Sequence, residues 1–414
     1  MHLLFLSSLL PDGAPSTGFE LANQAILDGY RRAGVRLTIA GFRREGARPA
    51  TADEIDLGTI VIENAAASRL QKARWVFGAI RSGRTVSAEK LARHSRAALL
   101  DRLATAGPVD GVILNSVQMP IAYPFLASEM PAIFIAHNVE HRSATENARH
   151  GETRLERLLF RREAQILKGE EARLCRSAAV IHTLSEDDRA GLGLSADPRA
   201  IPLALSIDRP RHAIDDGARR HDVGLIGTWS WAPNRVGLDW FLAAVAPRLP
   251  SDIEIAIAGR MDGAPPEAPK NVHFLGRVPD AQLFVRGARV LALATKGGTG
   301  VQLKTIETFE EGLPAVATPA ALRGIGAVPA NVRVTEDPDA FAAAIAELVA
   351  AERAGAPLRL DGSLFAAAQK AALDAGIRQG LALFEAALRK SPVARRTEAE
   401  AGPIAPPSAD KVQC

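Results

Sequence analysis

Lys296–Thr318, KGGTGVQLKTIETFEEGLPAVAT, reads as a glycine-rich turn, a short amphipathic helix and a hydrophobic strand. Arg289–Ala294 (RVLALA) just before it reads as a buried strand, so Gly297, Gly298, Thr299 and Gly300 occupy a strand-to-helix turn. An α/β fold builds anion sites at such turns. Glycines let the backbone approach a ligand, and the first N–H groups of the following helix carry partial positive charge toward it. Ile306, Phe309 and Leu313 fall at helical spacing and are predicted to face the sheet, while Lys304 and Glu307 share a second face. A lysine in a first helical turn opposes the macrodipole by about 0.3–1 kcal/mol, a cost that a bound phosphate removes. A tight turn with no ligand has the same glycines, so the rest of the chain has to decide.

Moving outward, short apolar runs alternate with helical stretches, the pattern of parallel βαβ units. In the second half the predicted strands are 223–227, 253–258, 272–275, 290–294, 315–318 and 332–334, with helices over 236–246 and 338–353. In the first half they are 2–7, 35–40, 109–115, 132–136 and 178–184, with helices over 19–32, 87–106 and 152–176. Between the halves, DRPRHAIDDGARRHD is polar, charged and aperiodic, a natural boundary. The expected domains are 1–205 and 206–365, each Rossmann-like. A helix over 366–390 packs back across their interface, and 391–414 forms a disordered tail rich in Ala, Pro, Glu and Arg. The fold class is α/β: two doubly wound sheets facing a cleft.

Composition agrees with a folded protein of two cores: 414 residues, 47% hydrophobic and 23% charged. Two cysteines, Cys175 and Cys414, leave no disulfide framework or cysteine metal site, which points to a reducing, cytoplasmic setting. The N-terminal run MHLLFLSSLL lacks a basic leader and a cleavage site, and Pro11 ends it too early to span a bilayer, so it reads as a buried strand. Between Ser68 and Arg102 nine basic residues stand against two acidic ones, with Trp75, Val76, Phe77 and Ile80 interleaved. That composition fits either a solvated arginine-rich face or contact with anionic headgroups at a membrane surface. Nucleic acid is not expected, because the net charge is only +3 and no nucleic-acid motif is present.

Four segments of the second half end at the same sheet edge: Gly227–Gly237 (GTWSWAPNRVG), Gly259-Arg260, Asn271–Asp280 (NVHFLGRVPD) and the glycine turn. In this order they resemble the nucleotide-sugar domain of retaining GT-B glycosyltransferases of the family 4, or group 1, type. The first half is similar too, in the loop Leu10–Gly18 (LPDGAPSTG), in AHNVEH and in EARLCRSAAVIHTLSEDDRA; the resemblance covers about residues 1–390. It implies a transferase that takes a UDP- or GDP-linked sugar as co-substrate, with no other cofactor, and passes the sugar with retention to a saccharide or lipid-linked saccharide in surface polysaccharide or glycoconjugate synthesis.

The resemblance places Glu307 on the ribose. It places the backbone of Gly298, Thr299, Gly300 and Val301 with Lys304 on the diphosphate, and His137 at the donor sugar or reacting centre. Asn234, Arg235 and Arg260 are further candidates, Gly18 with Ser16 and Thr17 faces the diphosphate from the other domain, and Glu140 is a weaker candidate. No DxD spacing lies at a strand end, so no divalent cation is expected. Two departures from the family pattern stand out: Thr299 occupies the position of an acidic residue, and GTWSWAPNR replaces the usual Arg and Lys pair. A nucleotide-sugar epimerase and a non-catalytic GT-B scaffold are the alternatives.

Overall fold

The computed structural model describes residues 1–13, 17–61, 68–151, 153–207, 217–261 and 263–390. The predicted tail, Ser16 and most of the polar boundary segment lie outside these residues.

The first sheet contains β1 (His2–Leu9), β2 (Arg36–Arg44), β3 (Glu54–Ile60), β4 (Gly111–Asn115), β5 (Ala132–Ala136), β6 (Val180–Thr183) and β7 (Ala200–Pro202). All its pairings are parallel, in the order β3-β2-β1-β4-β5-β6-β7. The helices of this half are α1 (Gly18–Arg32), α2 (Arg69–Ser82), α3 (Val86–Leu91), α4 (Arg96–Leu103), α5 (Gln118–Ala122), α6 (Glu140–His150), α7 (Arg154–Ser177) and α8 (Glu186–Gly191). The second sheet runs β10-β9-β8-β11-β12-β13, again parallel. Its strands are β8 (His221–Ile226), β9 (Ile255–Ala258), β10 (Val272–Gly276), β11 (Ala288–Leu293), β12 (Ala315–Ala317) and β13 (Val332–Val334). Helices α9 (Ala232–Trp240), α10 (Ala281–Arg286), α11 (Leu303–Glu310) and α12 (Pro338–Arg353) cover it, and α13 (Gly362–Lys390) ends the described chain.

Strand periodicity explains the two cores of the first half. Leu4, Leu6, Val112, Leu114 and Phe134 face one side of the sheet, and Leu3, Phe5, Ile113, Ile133 and Ile135 face the other. The second face is covered by α1 and by α13, whose Leu373, Ile377, Leu381 and Phe384 lie in the same cluster as Leu3, Phe5 and Ile26. Gly29 makes the close packing of α1 on α13 available: a Cβ there would lie 2.4 Å from Ile377 Cδ1. Arg32 Nη2 adds an ion pair to Asp374 at 2.7 Å.

Several expected elements differ. β3 and β7 are additional edge strands; β3 carries Glu54, Asp56 and Thr59 among its apolar residues, and β7 has only three residues, so neither stands out from the sequence. The single helix expected over 87–106 is broken into α3 and α4, because Tyr123 Oη accepts from the N–H groups of Arg93 and His94 and Ser95 then caps α4. The helix expected over 236–246 starts earlier, at Ala232, and changes to a wide turn at Phe241–Val245. Ile306, predicted to face the second sheet with Phe309 and Leu313, instead joins the cluster of the first domain and α13, while Phe309 and Leu313 do face the second sheet. Helix α11 therefore belongs to both cores. Its Glu310 Oε1 also accepts from Ser206 Oγ at 2.6 Å and Ile207 N at 2.9 Å, which fixes the chain crossing between the domains.

Candidate functional site in the cleft

Strand order reverses between β1 and β4 in one sheet and between β8 and β11 in the other, and such switch points are where loops diverge to leave a crevice. The two crevices face each other. Gly18, at the start of α1, sits so close to the start of α11 that a Cβ there would lie 3.2 Å from Leu303 Cδ1. Gly300 meets the β5–α6 loop: a Cβ on it would fall 1.9 Å from Asn138 Oδ1 and 3.2 Å from His137 O. At φ +78° Gly300 also occupies the left-handed region, so conformation and contact both require glycine. Ser143 Oγ and Thr299 Oγ1 are 2.6 Å apart, a second link across the cleft.

On the second-sheet side, helix α11 begins at Leu303 rather than at the glycines, and Gln302 provides no side-chain cap. Thr305 and Ile306 N–H donate to Gln302 O at 2.9 and 3.3 Å, so the N–H groups ahead of the first intrahelical bonds are those of Leu303 and Lys304. The Gly300 N–H, expected among the phosphate donors, instead donates to Asp188 Oδ1 at 3.1 Å in this arrangement. Asp188 also closes the start of α8, with Ser185 Oγ donating to Asp188 Oδ2 at 2.6 Å and accepting its N–H at 3.0 Å.

Lys304 is half-buried, and its ammonium donates to Asn234 Oδ1 at 3.3 Å, while Asn234 Nδ2 donates to Thr228 O at 3.1 Å. Burial, and then the neighbouring Arg323 guanidinium, lower the Lys304 pKa to about 8. Arg323 is the residue that sequence reasoning missed. It follows the short turn Pro319–Leu322 after β12 and holds the glycine loop from beneath, with Nη2 donating to Gly297 O at 2.8 Å and Nε to Gly300 O at 3.3 Å. The signal was available: a basic residue in the loop at one more strand end of the same sheet edge. Glu307, one turn beyond Lys304, is buried at 8% exposure.

Arg235 is not brought into this group. It pairs with Asp239 four residues on, at 2.8 Å along its own helix surface. Arg260 enters through its main chain, where its carbonyl accepts from Trp229 N–H at 2.7 Å and joins the loops after β8 and β9. The Trp229 indole N–H donates to Ala258 O at 2.9 Å, so this tryptophan is a wall of the crevice rather than a free ring.

Across the cleft His137 is buried against Phe19, with ring centroids 4.8 Å apart. Its Nε2 lies 2.7 Å from Asn115 Oδ1. Asn115 Nδ2 donates to Asn23 Oδ1 at 2.9 Å and Ser7 Oγ at 3.2 Å, which turns its oxygen toward the histidine and selects the Nε2–H tautomer. Burial lowers the His137 pKa to about 4, so the ring is neutral at physiological pH with Nδ1 as acceptor. His137 is thus held in a side-chain network with Asn115, Asn23 and Ser7. Beyond it, burial, then the Glu171 carboxylate and a smaller contribution from Asp188, raise the Glu140 pKa to about 7. Glu171 itself accepts from the N–H groups of Glu140 and His141 at 2.7 and 3.3 Å, closing the start of α6.

Residues 220–351 match the family described as Glycosyl transferases group 1. No curated protein matches the chain in sequence. Among solved structures, HepE of Anabaena in complex with UDP and glucose is 14% identical, with a TM-score of 0.56 over 92% of this chain and 99% of that one. Sucrose-phosphate synthase from Thermosynechococcus elongatus is 14% identical, with a TM-score of 0.54 over 97% and 100%. WaaG, a glycosyltransferase involved in lipopolysaccharide biosynthesis, is 15% identical with a TM-score of 0.51 over 94% and 98%. At these identities the likeness is one of fold. The protein therefore has the GT-B fold, two parallel Rossmann-like sheets facing a cleft, and the stretch 220–351 of its second half is similar to the family described as glycosyl transferases group 1.

Proposed function

We propose that the protein transfers a sugar, with retention, from a nucleotide diphosphate donor to a saccharide or lipid-linked saccharide acceptor, in surface polysaccharide or glycoconjugate synthesis at the inner face of the membrane. The observation that carries this reading is the convergence of Lys304, Arg323 and the uncapped start of α11 at one switch point, with buried Glu307 beside them. A diphosphate leaving group needs positive charge where negative charge develops, and preorganised N–H groups and cations in a crevice supply it without reorganisation. With two cations in place the reading calls for no divalent metal ion. Glu307 suits a pair of ribose hydroxyls, since a carboxylate accepts from both. From the other domain, neutral His137 offers Nδ1 to a donor-sugar hydroxyl without repelling the positive character of the reacting carbon. The acceptor proton passes to the leaving phosphate, so no protein nucleophile is required. Screening UDP- and GDP-sugars for release of the nucleotide diphosphate tests the reading. Glu307→Ala is expected to abolish release while leaving the circular dichroism spectrum unchanged; wild-type rates in that variant would sink the assignment. A non-catalytic scaffold is favoured by Thr299, whose hydroxyl is engaged by Ser143. Calorimetric titration that finds neither UDP nor GDP binding would decide for it.

A further inference from the structure

The start of α6 carries two carboxyl groups where one would serve. Glu171 of α7 closes it: the carboxylate accepts from the N–H groups of Glu140 and His141 at 2.7 and 3.3 Å and pairs with His141 Nδ1 at 2.6 Å. Glu171 is 2% exposed, so packing fixes this cap. An acidic first-turn residue ordinarily stabilises a helix start through the macrodipole. Glu140 is such a residue, but Glu171 already satisfies that helix start and repels a second negative charge there. When charged, the Glu140 side chain therefore works against the fold, and its presence needs another reason.

Its placement supplies one. Asn138 Nδ2 donates to Glu140 Oε1 at 3.4 Å, and Asn138 Oδ1 occupies the space that a Cβ on Gly300 would need. Ser143, three residues on and on the same face of α6, bonds Thr299 at 2.6 Å. Glu140 thus stands on the face of α6 turned to the glycine loop. It is half-buried, and Asn138 is the only hydrogen-bond partner of its carboxyl group among the described residues. Carboxyl groups withdrawn from water normally find several partners, and the exceptions concentrate at functional sites. The charges acting on it are carboxylates, Glu171 from α7 and Asp188 from α8. Across the cleft, the loop from Gly297 to Val301 has no acidic side chain of its own.

We infer that the Glu140 carboxylate accepts a hydrogen bond from a hydroxyl of the donor sugar and so fixes that sugar from the first domain. The inference rests on the glycosyltransferase reading above and names a further residue of the same site. With the diphosphate at Lys304 and the start of α11, the sugar it carries extends across the cleft and meets the β5–α6 loop and the first turn of α6. A carboxylate is a strong acceptor for a hydroxyl, and its charge favours the positive character that the sugar gains as the diphosphate departs. Burial, then Glu171 and to a smaller extent Asp188, raise the Glu140 pKa to about 7, so the contact forms above that pH and is lost below it.

The test uses the UDP- or GDP-sugar from which the full-length protein releases nucleotide fastest, with the matching nucleotide diphosphate as the control ligand. In the wild type, kcat/KM for the donor should rise about tenfold per unit below pH 7 and level off above it, because the free enzyme must ionise Glu140. Glu140→Gln should lower kcat/KM at pH 7.5 by about one to two orders of magnitude and abolish that rise, with affinity for the nucleotide diphosphate within about twofold of the wild type. The change also relieves repulsion with Glu171, so the variant should unfold in urea no earlier than the wild type. Glu140→Asp keeps the charge and should retain the pH rise at a reduced rate. Wild-type kcat/KM in Glu140→Gln, a pH rise that persists in it, or a flat profile in Glu140→Asp would overturn the inference. An equal loss of nucleotide diphosphate affinity would overturn it too, since that result marks a disturbed helix start rather than a lost sugar contact. Failure of every UDP- and GDP-sugar to release nucleotide from the wild type would instead remove the glycosyltransferase reading, and the role of Glu140 with it.

Discussion

The two sheets share a strand order but present opposite chemistry to the cleft between them. The second-sheet edge brings cations together, with Lys304 beside Arg323 over a glycine loop. The first-sheet edge favours uncharged groups: burial holds His137 neutral with its pKa lowered to about 4 and, with the Glu171 carboxylate, raises Glu140 to about 7, and burial raises the Asp188 carboxyl as well. One topology thus yields a half suited to a diphosphate and a half suited to sugar hydroxyls. The strand order determines only where loops open, and the residues in those loops set the field.

Truncating each edge in turn probes that division. Lys304→Ala is expected to lower transfer by about two to three orders of magnitude, as removal of a group stabilising a leaving charge does. His137→Ala should cost about one order, in the range of a lost neutral hydrogen bond. Steady-state rates with the best donor measure both, and a larger loss at His137 would reverse the assignment of the two edges. Next in size, Gly300→Ala should destabilise the protein by about 2 kcal/mol in urea unfolding, because it puts a Cβ at positive φ against Asn138. Stability within error of the wild type would show that the loop and the first domain are not in contact in solution.

The smallest effect concerns pH. Lys304 is charged below its pKa of about 8 and neutral above it, so nucleotide diphosphate affinity should fall as pH rises through that value, by at most about tenfold per unit. Bound phosphate favours the charged form, so binding above pH 8 should take up a proton, which calorimetry in buffers of different ionisation enthalpy detects. Lys304→Arg should remove this slope.

Much of the fold was legible because parallel strands buried on both faces read as continuous apolar runs, as AIFIA at β5 and RVLALA at β11 do. The edge strands β3, interrupted by polar residues, and β7, only three residues long, lacked that signature. The break between α3 and α4 depends on Tyr123, whose hydroxyl arrives from thirty residues away in sequence. Helix α13 showed its length in the sequence, but nothing local shows that Phe384 completes the first domain's core.

In the cleft the sequence alone determined the glycine turn, the following helix with Lys304 and Glu307 on one face, and His137 at a strand end. These follow from local spacing and backbone preference. Only the tertiary structure decided that Asp188 takes the Gly300 N–H, that Arg323 supports the loop, that burial and then Arg323 lower the Lys304 pKa, and that Asn115 sets the His137 tautomer. It likewise decided which cations of 68–102 are paired and which stay exposed. Most of these join residues far apart in the chain. Hydrogen bonding and desolvation depend on distances that no sequence period encodes.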